Sequence, residues 1–232
     1  MLSSVEAIKA GAKWHTMNPL FWLGLISVLI GVVPLSFVKR SWRVLLVAGA
    51  AYFSAIIIKA IVQLSFLSFF LTPQTATYLA YGLLTAITEP GMALLFARFV
   101  REYPGTYGVS LAFWENAVLL GISEVIAGLL FNLTALPPSL ASMLASTPFL
   151  FLASVKIIDR TSSLLLHYSW GVSAYHSYWR KDVKYILITA PFGMVDSLAA
   201  YVQLTKANLL TASIPALMLS IAAFVIARTI SK

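Results

Sequence analysis

Long apolar runs without charge limit this chain more than any other feature. Residues 19–38 form one such run, about the twenty residues that an α-helix needs to cross a bilayer. Further runs of similar length follow to the C-terminus. They do not alternate apolar with polar residues, which excludes a transmembrane β-barrel. The runs predict an all-α, polytopic transmembrane bundle of about eight spans. The expected spans are 18–38, 44–71, 76–100, 107–133, 139–155, 161–178, 185–204 and 208–227. Turns are expected at Pro73, Pro104-Gly105 and Pro137-Pro138. The whole chain, 1–232, reads as a single integral membrane domain. Residues 1–17, with Lys9 and Lys13, form a short segment before a retained first helix; no small-residue cleavage site follows that helix.

Composition closes off other classes. Hydrophobic residues are 60% and charged residues 10% of the chain, against about 45–50% and about 25% in soluble domains. So few charges cannot cover a soluble core, which excludes a soluble enzyme, and the apolar content excludes disorder. The net charge of +8 reads as topology signal and headgroup contact rather than nucleic-acid binding, because Lys and Arg gather at the ends of the apolar runs. With no cysteine there is no disulfide, no thiolate nucleophile and no Cys-ligated metal. The absence of Cys and the scarcity of Asn and Gln are compatible with a thermophilic source.

The basic links alternate through the first six spans, which puts the N-terminus outside the cell membrane by the positive-inside rule. Arg180, Lys181 and Lys184 break that alternation. Asn132-Leu133-Thr134 is a glycosylation sequon on a link expected outside.

Ionisable groups inside the spans cost several kcal/mol each at the bilayer centre, so they mark function by default. Glu89, Glu115, His167 and Asp196 all fall about 10–15 Å from one face, at about 1.5 Å rise per residue. Lys59 and Glu124 are expected nearer the opposite face, paired with each other. Each group also has a structural reading. Glu89 sits before Pro90-Gly91, a helix break. Glu115 lies beside Asn116 as interhelical glue, and Asp196 reads equally as glue. His167 alone is more often a packed, hydrogen-bonded ring, and Asp159-Arg160 reads as a local ion pair. Convergence at one depth favours a shared polar cavity. The oxygen and imidazole donors suit a divalent metal such as zinc, with a Glu as base for peptide hydrolysis. No H-E-x-x-H occurs, and Ser162 and Ser163 near His167 lack a Gly-x-Ser-x-Gly context.

The order of these landmarks resembles the YhfC family of intramembrane metallopeptidases. More distantly it resembles the PrsW proteases and the CAAX-protease and bacteriocin-processing superfamily, to which the anterior-pharynx-defective subunit of gamma-secretase is related. Thr88-Glu89-Pro90-Gly91-Met92 stands at the paired-Glu motif, and Gly108 to Glu115 at the G-H-G-G-x-E motif. Asp159-Arg160 through His167 stands at the E-R…His motif, and Asp196 at the last acidic position. The likeness spans about residues 75–200. It implies Glu115 and Glu89 as catalytic groups, and His167 and Asp196 as metal ligands. The chain departs from the pattern at Thr88, at Met92, and at Leu111 and Phe192, which replace two family histidines. Three functions stay open: an intramembrane peptidase acting on a transmembrane peptide or protein, a non-catalytic scaffold or subunit of the same fold, and a proton- or cation-coupled transporter.

Overall fold

The computed structural model describes residues 18–131, 133–205 and 207–232. Every regular element among them is helical. The segment 1–17 and the sequon residue Asn132 lie outside the described residues.

Helix α1, Pro19–Val32, starts on Asn18, whose side-chain oxygen accepts from the Leu20 amide. It ends in a 3₁₀ turn, Val33–Phe37. Helix α2, Trp42–Ser65, is capped by Ser41, and α3 is Thr75–Ala97. The span α4, Pro104–Leu130, contains a π-helical stretch, Trp114–Ile122. A short α5, Pro138–Ser146, meets the 31-residue α6, Phe149–Trp179, at a bend of 119°. The span α7, Lys184–Thr205, is broken by a 3₁₀ stretch, Ala190–Met194. Helix α8 is Leu210–Ile230. Six of these helices are long and apolar enough to cross a membrane, or seven if the bent pair counts as one span. The chain is a polytopic helical membrane protein.

The expected count of eight fails at one place. Lys156–Arg160, read as a link between two spans, lies inside α6. Its charged side chains point inward to carboxylates on α4 rather than outward to water. Merging the two expected spans restores the alternation of charge. The link 98–103 lies against the link 38–41, since Thr106 Oγ1 donates to the Lys39 carbonyl at 2.9 Å. The α6 C-terminus joins them, with Trp179 Nε1 donating to the Val100 carbonyl at 2.7 Å and Tyr175 to the Arg101 carbonyl at 3.0 Å. One end of the bundle therefore gathers Lys39, Arg40, Arg43, Arg98, Arg101, Arg180, Lys181 and Lys184. It is called the basic end below. The expected break at Glu89-Pro90-Gly91 is also absent: α3 runs through Pro90.

Small residues let the backbones approach where lipid gives no hydrophobic drive for packing. A Cβ added at Gly171 of α6 would stand 2.4 Å from the Gly108 Cα of α4, and one added at Gly108 would stand 2.5 Å from the Tyr168 carbonyl oxygen. This crossing sets α4 against α6 close to Glu115 and His167. A second seam joins α1 to α4 through Gly24, Gly31, Gly121 and Gly128. The largest buried cluster combines Val44, Ala48 and Tyr52 of α2, Ala93 and Ala97 of α3, Tyr107 and Leu111 of α4, and Ala174 of α6. Leu111 is thus part of this apolar packing, and Phe192 packs against the Leu166–Trp170 cluster.

Two glycines make a test. Gly171→Leu should cost about 3 kcal/mol by overpacking, whereas Gly91, with nothing within 4 Å of an added Cβ, should accept Ala with a gain of about 0.5–1 kcal/mol. Equilibrium unfolding in detergent measures both.

Candidate functional site

The buried ionisable groups meet in a cavity of about 360 Å³ between α2, α3, α4, α6, α7 and α8. Its centre is His167. The ring is buried, with Tyr52 (5.8 Å) and Trp170 (5.1 Å) packed edge-on against it. Nδ1 lies 3.0 Å from the Ser163 carbonyl oxygen. A carbonyl can only accept, so Nδ1 carries the proton, and in the neutral ring Nε2 presents a lone pair. Nε2 faces two carboxylates, 3.1 Å from Glu89 Oε2 and 3.3 Å from Glu115 Oε2. Despite these distances, it is aligned with neither for a hydrogen bond and stays unpartnered.

Each carboxylate divides its oxygens in the same way. Glu89 Oε1 takes Lys59 Nζ at 2.7 Å, and Glu115 Oε1 takes Arg160 Nη1 at 2.9 Å. Both Oε2 atoms are left for His167. The π-helical stretch helps place this second pair. A π turn holds more residues than an α turn, so neighbouring side chains diverge less. Glu115 and Asn116 consequently reach the same guanidinium, with Asn116 Oδ1 at 3.2 Å from Arg160 Nη1. Asn116 Nδ2 also donates to the Arg160 carbonyl at 3.0 Å. This contact pins α4 to α6 from both partners.

The positions expected from sequence fall out as follows. Glu89, Glu115 and His167 come together, each offering a donor atom within 4.8 Å of the others. Asp196 lines the same cavity but lies outside this donor group. Its carboxylate accepts from the Thr85 hydroxyl and lies 3.3 Å from Lys59 Nζ. Lys59 does not pair with Glu124; it bridges Glu89 and Asp196. Glu124 pairs instead with Lys156 at 2.5 Å, and its other oxygen lies 3.4 Å from Ser27 Oγ. Arg160 turns to Glu115 rather than to Asp159. Sequence reasoning missed Lys59 and Arg160 as members of the cluster. The signal present was their position within apolar stretches.

The depth estimate needs correction as well. Arg160 is at no face, and His167 lies about 18 Å from the α6 C-terminus at the basic end, at about 1.5 Å per residue. Asp196 lies nine residues before Thr205, the close of α7 at the end opposite the basic one. The four groups do meet, but near the middle of the bundle.

The cavity holds Lys59, Arg160, Glu89, Glu115, Asp159 and Asp196, four carboxylates against two cations, which leaves a formal −2 with His167 neutral. Such a donor set suits one divalent cation: two carboxylate oxygens and an imidazole nitrogen, with the imidazole oriented by a backbone carbonyl. Comparison with family models, curated proteins and solved structures returns no match.

The ion pairs generate a test. Lys59→Met leaves Glu89 uncompensated and should destabilise by about 3–5 kcal/mol. The double variant Lys59→Met/Glu89→Gln should recover much of that loss. A thermodynamic cycle in detergent reads the coupling.

Proposed function

We propose that this chain is an intramembrane metal-dependent peptidase, with Glu89, Glu115 and His167 as its centre. The observation that carries the reading is the unpartnered Nε2 of His167 facing two carboxylate oxygens. Lone pairs do not face one another in a low-dielectric site without a cation between them. An imidazolium would place its Nε2–H between Glu89 Oε2 and Glu115 Oε2, and a divalent ion would take the place of that proton. Glu89 Oε2, Glu115 Oε2 and His167 Nε2 would hold a divalent ion such as zinc. Three protein ligands are the usual number at a catalytic centre with an open position.

A divalent ion at that place supplies Lewis acidity and lowers the pKa of water. The chain's own groups do the remaining work. Lys59 and Arg160 hold Glu89 and Glu115 by one oxygen each and fix the direction of the other oxygen. Ser163 fixes the His167 tautomer. Glu115, whose side chain is more exposed than that of Glu89, would exchange its Oε2 between the ion and the proton of a water, and return that proton to the leaving amine. Asp196 acts through Lys59 and stays away from the reacting atoms. The apolar wall formed by Leu119, Leu120, Leu166 and Val195 accepts a hydrophobic segment of a membrane peptide. The likeness to the YhfC pattern supports the same reading. The replacement of two family histidines by Leu111 and Phe192 does not remove the donor set, because Glu89 and Glu115 fill the two places around His167.

Protein purified without chelator should carry close to one equivalent of a divalent transition metal by elemental analysis, and His167→Ala should lower this at least tenfold. Glu115→Gln should fold and lose cleavage of a transmembrane reporter peptide by at least a hundredfold. A metal-free parent that cleaves nothing supports a non-catalytic scaffold of the same fold. A Glu115→Gln variant that cleaves like the parent overturns the assigned role.

A further inference from the structure

A second cavity, of about 370 Å³, opens at the basic end between the close of α1, the start of α2 and the start of α4. It shares no residue with the central cavity. We infer that it is a binding site for the phosphate headgroup of an anionic phospholipid, with Lys39, Arg40 and Ser110 as its polar contacts. The inference is independent of the peptidase reading.

Three observations converge. Lys39 and Arg40 line the cavity, and among the described residues neither has a carboxylate within 4.0 Å. Lys39 Nζ instead lies over the Tyr103 ring, 4.4 Å from its centroid. Two unneutralised cations at a membrane surface attract anionic lipid by about 1 kcal/mol each. The second observation is Ser110, which is fully buried, lines the same cavity and has no hydrogen-bond partner for its hydroxyl. A buried, unpaired hydroxyl costs about 1–3 kcal/mol, and a serine inside a helix ordinarily returns its proton to the preceding turn. Ser27, Ser162 and Ser169 do so here; Ser110, like Ser173 and Ser197, does not, and of these three only Ser110 lines the cavity. Its hydroxyl is free to donate to a phosphate oxygen. The third is the wall. Leu35, Leu45 and Trp42 (79% exposed) line the cavity, and Phe37 (82% exposed) follows Ser36 of its lining in the chain. Exposed aromatic side chains at this level belong to the interfacial belt, and they offer acyl-chain contact directly below a headgroup. A free phosphate needs the cations and the hydroxyl but gains nothing from that wall, so the structure favours a lipid over a soluble anion.

The link that forms the site is rigid. Thr106 Oγ1 donates to the Lys39 carbonyl at 2.9 Å, and Trp114 Nε1 donates to the Leu45 carbonyl at 2.7 Å. These bonds fix both sides of the cavity on α4, and the headgroup would tie α1, α2 and α4 together at one point.

The test uses the full chain in a neutral detergent, titrated with short-chain phosphatidylglycerol, short-chain phosphatidylcholine or inorganic phosphate, with the unfolding temperature as readout. Phosphatidylglycerol should raise it saturably, and the other two should have little effect. Lys39→Gln/Arg40→Gln should weaken the apparent affinity about tenfold, and Ser110→Ala by a smaller factor of about three. Arg228→Gln/Lys232→Gln removes the same charge away from the cavity and should leave the affinity unchanged. Equal shifts from phosphatidylglycerol and phosphatidylcholine would overturn the headgroup site. So would an equal shift from inorganic phosphate, which would mark a soluble-anion site. An equal loss in the Arg228/Lys232 variant would reduce the effect to general surface charge. Should the double variant fail to fold, Ser110→Ala decides alone, and a full-strength response in it counts against the site.

Discussion

Carboxylates survive inside a bilayer only beside cations, and this chain supplies them from neighbouring helices. Lys59 of α2 and Arg160 of α6 each take one oxygen of a glutamate. The desolvation of four charges is offset only because each pair has a close contact and each glutamate has a second neighbour. Without these two cations, Glu89 and Glu115 would be uncompensated buried charges, and the three-helix convergence on His167 would be lost. The same pairs hold the bundle together: Lys59 joins α2 to α3 and α7, and Arg160 joins α6 to α4.

Backbone packing and side-chain chemistry support each other. The Gly108–Gly171 crossing brings α4 and α6 into backbone contact. Two turns further along α4 the helix widens into a π-helical stretch, and there Glu115 and Asn116 clasp Arg160. On α6, His167 lies one turn before the crossing glycine, where its ring is fixed between Tyr52 and Trp170. The structure thus places one of its close backbone approaches on the helix pair that positions the imidazole. A second ion pair, Glu124–Lys156, repeats the motif between the same two helices, within the stretch of α6 where a loop was expected.

Much of this was legible in the sequence. Apolar run length gave an all-helical polytopic bundle, and the cost of burying charge singled out Glu89, Glu115, His167 and Asp196. Two things were not legible. Charged residues at 156–160 looked like a loop, because Lys and Arg ordinarily end apolar runs; nothing local shows that their partners are Glu124 and Glu115 on another helix. Lys59 was placed too far from the acids, because depth was counted at the Cα. Its four-carbon stem leans toward the α2 N-terminus, which brings the ammonium back to the level of Glu89. Asp196 lines the cavity, but its separation from Glu89 and Glu115 by Lys59 depends on tertiary packing alone.

The central claim is that an imidazole and two carboxylates converge on one place within the membrane. X-ray absorption spectroscopy of the metal-loaded protein in lipid nanodiscs tests it most directly. The account predicts a first shell containing one imidazole nitrogen with carboxylate oxygens, and loss of the imidazole scattering in His167→Ala. A spectrum with only water oxygens, or one that His167→Ala leaves unchanged, would contradict it.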